Sequence, residues 1–233
     1  MILYQWHLVI ARINFPLMKK SILIVFLVLL ADQILKFWVK TTMYLGQEHH
    51  LAGHWFIIHF VENPGMAFGL EFGGGYGKLA LSLFRIIAVF AIGYYLVSII
   101  KQKANTAFIV ALSLIFAGAI GNIIDSVFYG VLFSSSDFQL AHFMPAEGGY
   151  GTLLHGKVVD MFYFPVIRSY FPEWFPFWGG ESFEFFRPVF NLADSAITVG
   201  VALFILFQKS IFIHAEKKDD AAAKSTEQNL SAS

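Results

Sequence analysis

Acids stand in this chain where acids are costly. Apolar stretches hold Asp32 and Lys36 in ADQILK, Arg85 in LFRIIA, Asp125 in GNIID and Asp194 in FNLAD. An ionisable group at membrane depth costs about 3 kcal/mol even on the lenient insertion scale, so each is a functional candidate by default. Amides accompany two of the acids: Asn122 stands three residues before Asp125, and Asn191 three before Asp194. That spacing puts amide and acid on one helix face, where the amide can donate to the carboxylate or to a bound peptide. Two carboxylates held close cannot both ionise cheaply, and their pKa values split. The ionised member takes a proton from water, while the protonated one donates to a carbonyl oxygen and later helps the amine leave. Such a pair hydrolyses a peptide with no metal or cofactor. The apolar stretches alone would pair Asp125 with Asp194.

Plainer roles compete with the catalytic one. Asp32 and Lys36, at i, i+4, can be an intrahelical ion pair only. Asp125 can cap a helix end at the interface. Arg85 is read as snorkelling outward. Asp194, inside an apolar stretch, resists such a reading. His49, His50, His54 and His59 raise the question of a metal, but their spacing fits no familiar site. A strand would also split them between its faces, so no metal is expected. The chain has no Gly-x-Ser-x-Gly elbow. It has no cysteine, which removes disulfides, Cys-ligated zinc and a cysteine nucleophile together.

These residues need elements that hold them in a bilayer. Of 233 residues, 57% are hydrophobic and 14% charged, against about 25% charged in soluble domains. The net charge is zero, so nothing points to nucleic acid. A spanning helix needs roughly 20 mostly apolar residues, and four stretches qualify: about 21–40, 78–100, 106–127 and 189–208. Lys19 and Lys20, then Lys101 and Lys103, then Lys209, Lys217, Lys218 and Lys224 fall at three sites that four spans place on one side. By the positive-inside rule that side is the cytoplasm, with both termini in it. Loops 41–77 and 128–188 then lie outside. Alternation around HWFIIHFVEN predicts a strand in the first, and Gly73-Gly74-Gly75 breaks the chain before the second span. FPEWFPFWGG at 171–180 reads as an aromatic segment resting on the membrane surface. Residues 1–17 are read as an N-terminal extension, 18–209 as the membrane domain and 210–233 as a polar cytoplasmic tail. The fold class is thus an all-α membrane protein of four transmembrane helices, with a small extracytoplasmic β-sheet and insertions on the outer face.

Depth refines the picture. With a rise of ~1.5 Å per residue, Asp32 lies ~12 Å below the outer end of its span and Asp194 ~8 Å deep. Asp125 is near the outer end of the third span. All occupy the outer half of the bilayer. The inner half holds no charge, which argues against a channel or transporter. A non-catalytic assembly protein, with the acids as helix–helix glue, is the remaining alternative.

Five blocks now carry a resemblance. They are Asp32-Gln33 with Lys36; Asn63, Gly65, Ala67 and Phe68 in ENPGMAF; Gly121, Asn122 and Asp125 in GNIID; Val158, Val159 and Asp160 in KVVDMF; and Phe190, Asn191, Ala193 and Asp194 in FNLADSAITVG. In this order, over about residues 18–208, the sequence resembles lipoprotein signal peptidase, also called signal peptidase II. The resemblance implies an intramembrane aspartyl endopeptidase with Asp160 and Asp194 as the catalytic pair. Asp32, Lys36, Asn63, Gly65, Asn122, Asp125, Asn191 and Ala193 would line or brace the site. It implies no cofactor, a diacylglyceryl-modified prolipoprotein as substrate, cut just before its lipidated cysteine, and membrane lipid as surroundings. A bacterial inner-membrane location and a monomer are the accompanying expectations. The family commonly follows Gly-Asn-x-x-Asp with arginine, where this chain has Ser126. Arg85 is a candidate source of the missing guanidinium. The long gaps between the last three blocks are read as outer insertions at about 130–157 and 166–187.

Overall fold

The computed structural model describes residues 15–64, 74–165, 167–185 and 188–207. Gly65, Ala67 and Phe68, the first fourteen residues of the N-terminal extension, and the tail from residue 208 on lie outside the described residues.

Helix α1 runs Phe15–Thr42, α2 Gly74–Lys101 and α3 Thr106–Ile124. A shorter apolar helix, α4, runs Leu192–Phe207. The first three are apolar on nearly every side. Ile22, Leu23, Phe26, Leu27 and Ile34 on α1, and Phe84, Ile87, Phe90 and Tyr94 on α2, are all exposed. A helix that is apolar all round belongs in lipid or in a large core. Among the described residues, three helices are long and apolar enough to cross a membrane: Phe15–Thr42, Tyr76–Lys101 and Thr106–Leu132.

The boundaries differ from the sequence reading in instructive ways. Helix α1 starts at Phe15, inside the expected extension. Gly74 and Gly75 of the expected break form the start of α2, and Gly73 lies outside the described residues. The third span does not stop at a cap on Asp125. It widens there into a π-helical turn, Asp125–Tyr129, and closes with one α-turn, Gly130–Leu132. The expected fourth span loses its first three residues, because Val189 and Phe190 are a strand.

The strands are β1 (Glu48–Ala52), β2 (Phe56–Asn63), β3 (Val158–Tyr163), β4 (Ile167–Tyr170), β5 (Ser182–Phe185) and β6 (Val189–Phe190). The order β1-β2-β3-β6 forms one antiparallel sheet and β4-β5 a separate hairpin. The strand expected around 54–63 is β2. Its register sets Val61 opposite Asp160 and Asn63 opposite Val158, with a bulge between Ile58 and Val61. Alternation along β3 sends Val159 and Met161 into a core with Val39, Met43, Ile58, Phe60, Tyr129 and Phe133, which leaves Asp160 on the other face of the strand.

The chain divides into two compact units. One draws on α1 up to Leu29, on Ile87–Ile120 and on α4 from Ala196. Its core is Leu96, Ile99, Ile100, Ile109 and Leu112, with a buried Ser21–Ser113 hydroxyl pair at 2.7 Å. The other, Leu30–Ile86 with Gly121–Ser195, holds the four-stranded sheet and every described candidate site residue named from the sequence.

Candidate active site

The site is assembled from the ends of elements. Strand β6 delivers the chain to Asn191, which caps α4. The Asn191 Oδ1 accepts from the Asp194 backbone N–H at 2.9 Å, and the Asn191 backbone N–H donates back to Asp194 Oδ2 at 3.3 Å. This is a reciprocal capping box with Asp in place of Glu. Asn191 and Asp194 are therefore not two members of one helix face, as the spacing suggested, but a cap and the first turn it closes. An N-terminal first turn also favours a carboxylate through the helix dipole.

The Asn191 side chain faces the sheet. Its Nδ2 donates to Asp160 Oδ1 at 2.7 Å and to Asn122 Oδ1 at 3.0 Å. Asn63 Nδ2 reaches the other Asp160 oxygen, Oδ2, at 3.3 Å. Asn122, on α3, donates from Nδ2 to Asp194 Oδ1 at 2.8 Å. Asp160 and Asp194 thus hang on one residue, Asn191, and are each met by a second asparagine. Burial first, then the charge of Asp194, pushes the Asp160 carboxyl up to about 7, against the Asn63 and Asn191 amides that favour its ionised form.

Asp32 and Asp125 have different partners. Lys36 Nζ contacts Asp32 Oδ2 at 3.0 Å, Asp125 Oδ2 at 2.9 Å and Asn122 Oδ1 at 3.0 Å, and all three charged side chains are fully buried. The ammonium spends its three donors. The ion pair at i, i+4 is present, but it is half of a bridge between helices. Asp32 Oδ1 accepts the backbone N–H of Ala193 at 2.9 Å, and Asp125 Oδ2 that of Val159 at 3.1 Å. Each of these acids grips the peptide one residue before Asp194 or Asp160. Gln33 ties them together, donating to Asp32 Oδ2 and to Asp125 Oδ1, both at 3.1 Å, and accepting from Tyr129 at 3.2 Å. Gly121 is required where α3 meets these groups. A Cβ there would lie 2.8 Å from Asp32 Oδ2 and 3.1 Å from the Ala193 Cβ.

Arg85 does not simply snorkel. It is half-buried, and its Nη1 points at Ser126 Oγ, 3.5 Å away. Of the four histidines, His59 pairs with Glu48 at 2.7 Å and His50 lies 3.7 Å from the same carboxylate. They belong to the β1-β2 hairpin.

The sequence reading missed the partnership of Gln33 and a second buried charge cluster. Lys40 pairs with Glu62, Ser136 accepts from Lys40 at 2.9 Å, and Lys157 meets Glu62 Oε2 at 3.1 Å. Glu62 adjoins Asn63, the one signal that could have drawn attention to it.

Known proteins match this chain along most of its length. The family model described as signal peptidase (SPase) II matches residues 24–210. A lipoprotein signal peptidase of Porphyromonas gingivalis is 58% identical over 184 residues, 78% of this chain and 80% of that protein. One from Amoebophilus asiaticus is 37% identical, covering 80% of this chain and 76% of the relative. A solved bacterial membrane enzyme, determined by the in meso method, is 28% identical, with a TM-score of 0.54 over 82% of this chain and 88% of that one.

Proposed function

The chain belongs to the signal peptidase II family, and from that premise we propose that it removes signal peptides from diacylglyceryl-modified prolipoproteins by aspartyl catalysis at Asp160 and Asp194. The observation that carries the assignment is the division of labour among four acids. Asn191 serves Asp160 with its side-chain amide and Asp194 with its backbone N–H. Asp32 and Asp125 are bound to Lys36 and to backbone N–H groups instead. A carboxylate neutralised by an ammonium and spent on a peptide bond is a poor general base. A pair joined by amides, with one member holding its proton near neutral pH, has the proton inventory that hydrolysis needs.

In the mechanism, the ionised carboxylate takes a proton from water as the water attacks the scissile carbonyl. The protonated one donates to the developing oxyanion. As the tetrahedral intermediate collapses, the acid formed by taking water's proton donates to the leaving amine, and the first donor recovers its proton from the intermediate's hydroxyl. The two titrate as a unit, so neither proton belongs to one residue alone. On a four-span reading with both termini in the cytoplasm, which the lysine distribution supports, this chemistry lies near the outer face of a bacterial inner membrane. There the apolar part of a signal peptide leaves the bilayer, and the acyl chains of the lipidated cysteine remain in lipid.

Asp160→Asn or Asp194→Asn is expected to abolish cleavage of a lipidated precursor in membranes while the protein still inserts. Asp125→Asn is expected to keep measurable activity, because its carboxylate holds Lys36, Gln33 and β3 and takes no part in the proton transfers. Normal turnover by either of the first two variants would overturn the assignment.

A further inference from the structure

Strand β2 ends on two polar residues that face opposite ways. Asn63 lies on the face of the sheet that carries Asp160 and donates to it at 3.3 Å. Glu62 lies on the other face, opposite Val159, which is buried in the core with Phe60 and Phe133. The Glu62 side chain is 3% exposed, and three segments converge on it. Lys40, near the C-terminal end of α1 and fully buried, pairs with it. Ser136 of the insertion donates to Oε1 at 3.2 Å, and Lys157, just before β3, to Oε2 at 3.1 Å.

The ladder between β2 and β3 leaves the placing of these two residues open. Ile58 stands opposite Phe162 and Val61 opposite Asp160, so β2 carries one extra residue between them. Without that bulge the strand slips by one residue, and every later side chain turns to the other face. Alternation does not choose between the two registers: Phe60 and Val61 are both apolar, Glu62 and Asn63 both polar. The slipped register would bring Glu62 to the face of Asp160 and turn Asn63 into the core. It would also strand the Lys40 ammonium in the core, at a cost of about 3–5 kcal/mol. A buried ion pair adds little stability over an apolar pair of similar size, and its best attested use is to fix register.

We propose that the Lys40–Glu62 pair is a positioning device for hydrolysis, fixing the register of β2 beyond its bulge so that Asn63, and not Glu62, meets Asp160. This rests on the peptidase reading above.

The test uses the full-length enzyme in lipid bilayers with a lipidated precursor peptide. Lys40→Met removes the ammonium, and the slip lets the Glu62 carboxylate leave the core. Its kcat is expected to fall roughly 10-fold or more, the size of one lost hydrogen bond to a carboxylate, with KM within about 2-fold of wild type. Adding Asn63→Ala lowers kcat no further, because the amide has already left Asp160. Adding Glu62→Met to Lys40→Met instead gives position 62 a side chain that prefers the core, and recovers most of the kcat. Asn63→Cys with Val158→Cys reads the register directly, because the two positions are opposite each other. Their thiols should form a disulfide while Lys40 is present and lose most of it with Lys40→Met. A pair that only adds stability would lower the melting temperature, leave the disulfide intact and add its effect to that of Asn63→Ala. That pattern, or a wild-type kcat in Lys40→Met, overturns the proposal. A wild-type enzyme that leaves the precursor intact instead removes the peptidase reading, while the disulfide still reports whether the pair sets the register.

Discussion

Asp125 and Asp160 are the same side chain with different neighbours, and the neighbours decide their roles. Asp125 touches an ammonium, an amide and a backbone N–H; Asp160 touches two amides and lies near Asp194. The raised pKa of Asp160 has a consequence for stability. Its folded form binds the proton more tightly than the unfolded chain does. The folded state therefore loses stability as pH rises from the ordinary value of 3.8 through about 7. Asparagine cannot ionise. At pH 8, Asp160→Asn is expected to be more stable than wild type, by up to about 4 kcal/mol at about 1.36 kcal/mol per pKa unit. The gap should narrow toward pH 4, and thermal unfolding in one detergent at both pH values reads it. A difference independent of pH would contradict the buried, proton-holding Asp160. Residue types showed the acids and their amides, but not which acids pair. Asp160 lies outside every apolar run, so only the block resemblance brought it in. Asp125 looked the better partner for Asp194 because the cation that neutralises it, Lys36, is far away in the chain.

The same four-residue pattern does opposite things in two elements. At 122–125 it lies within the third span and ends in a π-turn. At 191–194 it starts a helix, with Asn191 as cap. Asn-x-x-Asp before an apolar run is a helix-start signal. It went unread because Val189 and Phe190 extend the apolar run backwards, and a short apolar run does not distinguish strand from helix. The cap and the amide can be separated. Asn191→Ser keeps an N-cap oxygen and should hold stability within about 0.5 kcal/mol, whereas Asn191→Ala loses roughly 1 kcal/mol. Both lose the donor to Asp160 and Asn122, so both should lose most cleavage activity. Melting temperatures beside turnover rates check this. A fully active Asn191→Ser would mean that the amide bridge plays no part.

At the scale of the molecule, hydropathy found three long apolar helices and a shorter fourth, and the chain gaps are read as two outer insertions. Their attachment was not legible, because it depends on charges isolated in sequence. Residues 130–157 are pinned by Ser136, Tyr150 and Lys157 around Lys40 and Glu62. In 166–187, β4 and β5 carry an aromatic turn where Phe171 stacks on Phe175 at 5.0 Å. Trp174 and Phe177 there are 79% and 93% exposed, consistent with a segment against an interface. The absence of cysteine makes orientation simple to measure by single-cysteine labelling. With a membrane-impermeant maleimide applied to spheroplasts, Trp178→Cys is expected to react. Gln102→Cys, in the link between α2 and α3, should react only after permeabilisation. The reverse pattern would invert the proposed topology.

The central claim is cleavage by the Asp160–Asp194 pair. The measurement closest to it is mass spectrometry of a lipidated precursor incubated with the purified enzyme. The wild type should release one signal peptide ending immediately before the lipidated cysteine. Asp160→Asn and Asp194→Asn, each folded by thermal unfolding, should release none. The same product from either variant, or a cut elsewhere in the precursor, would contradict the account.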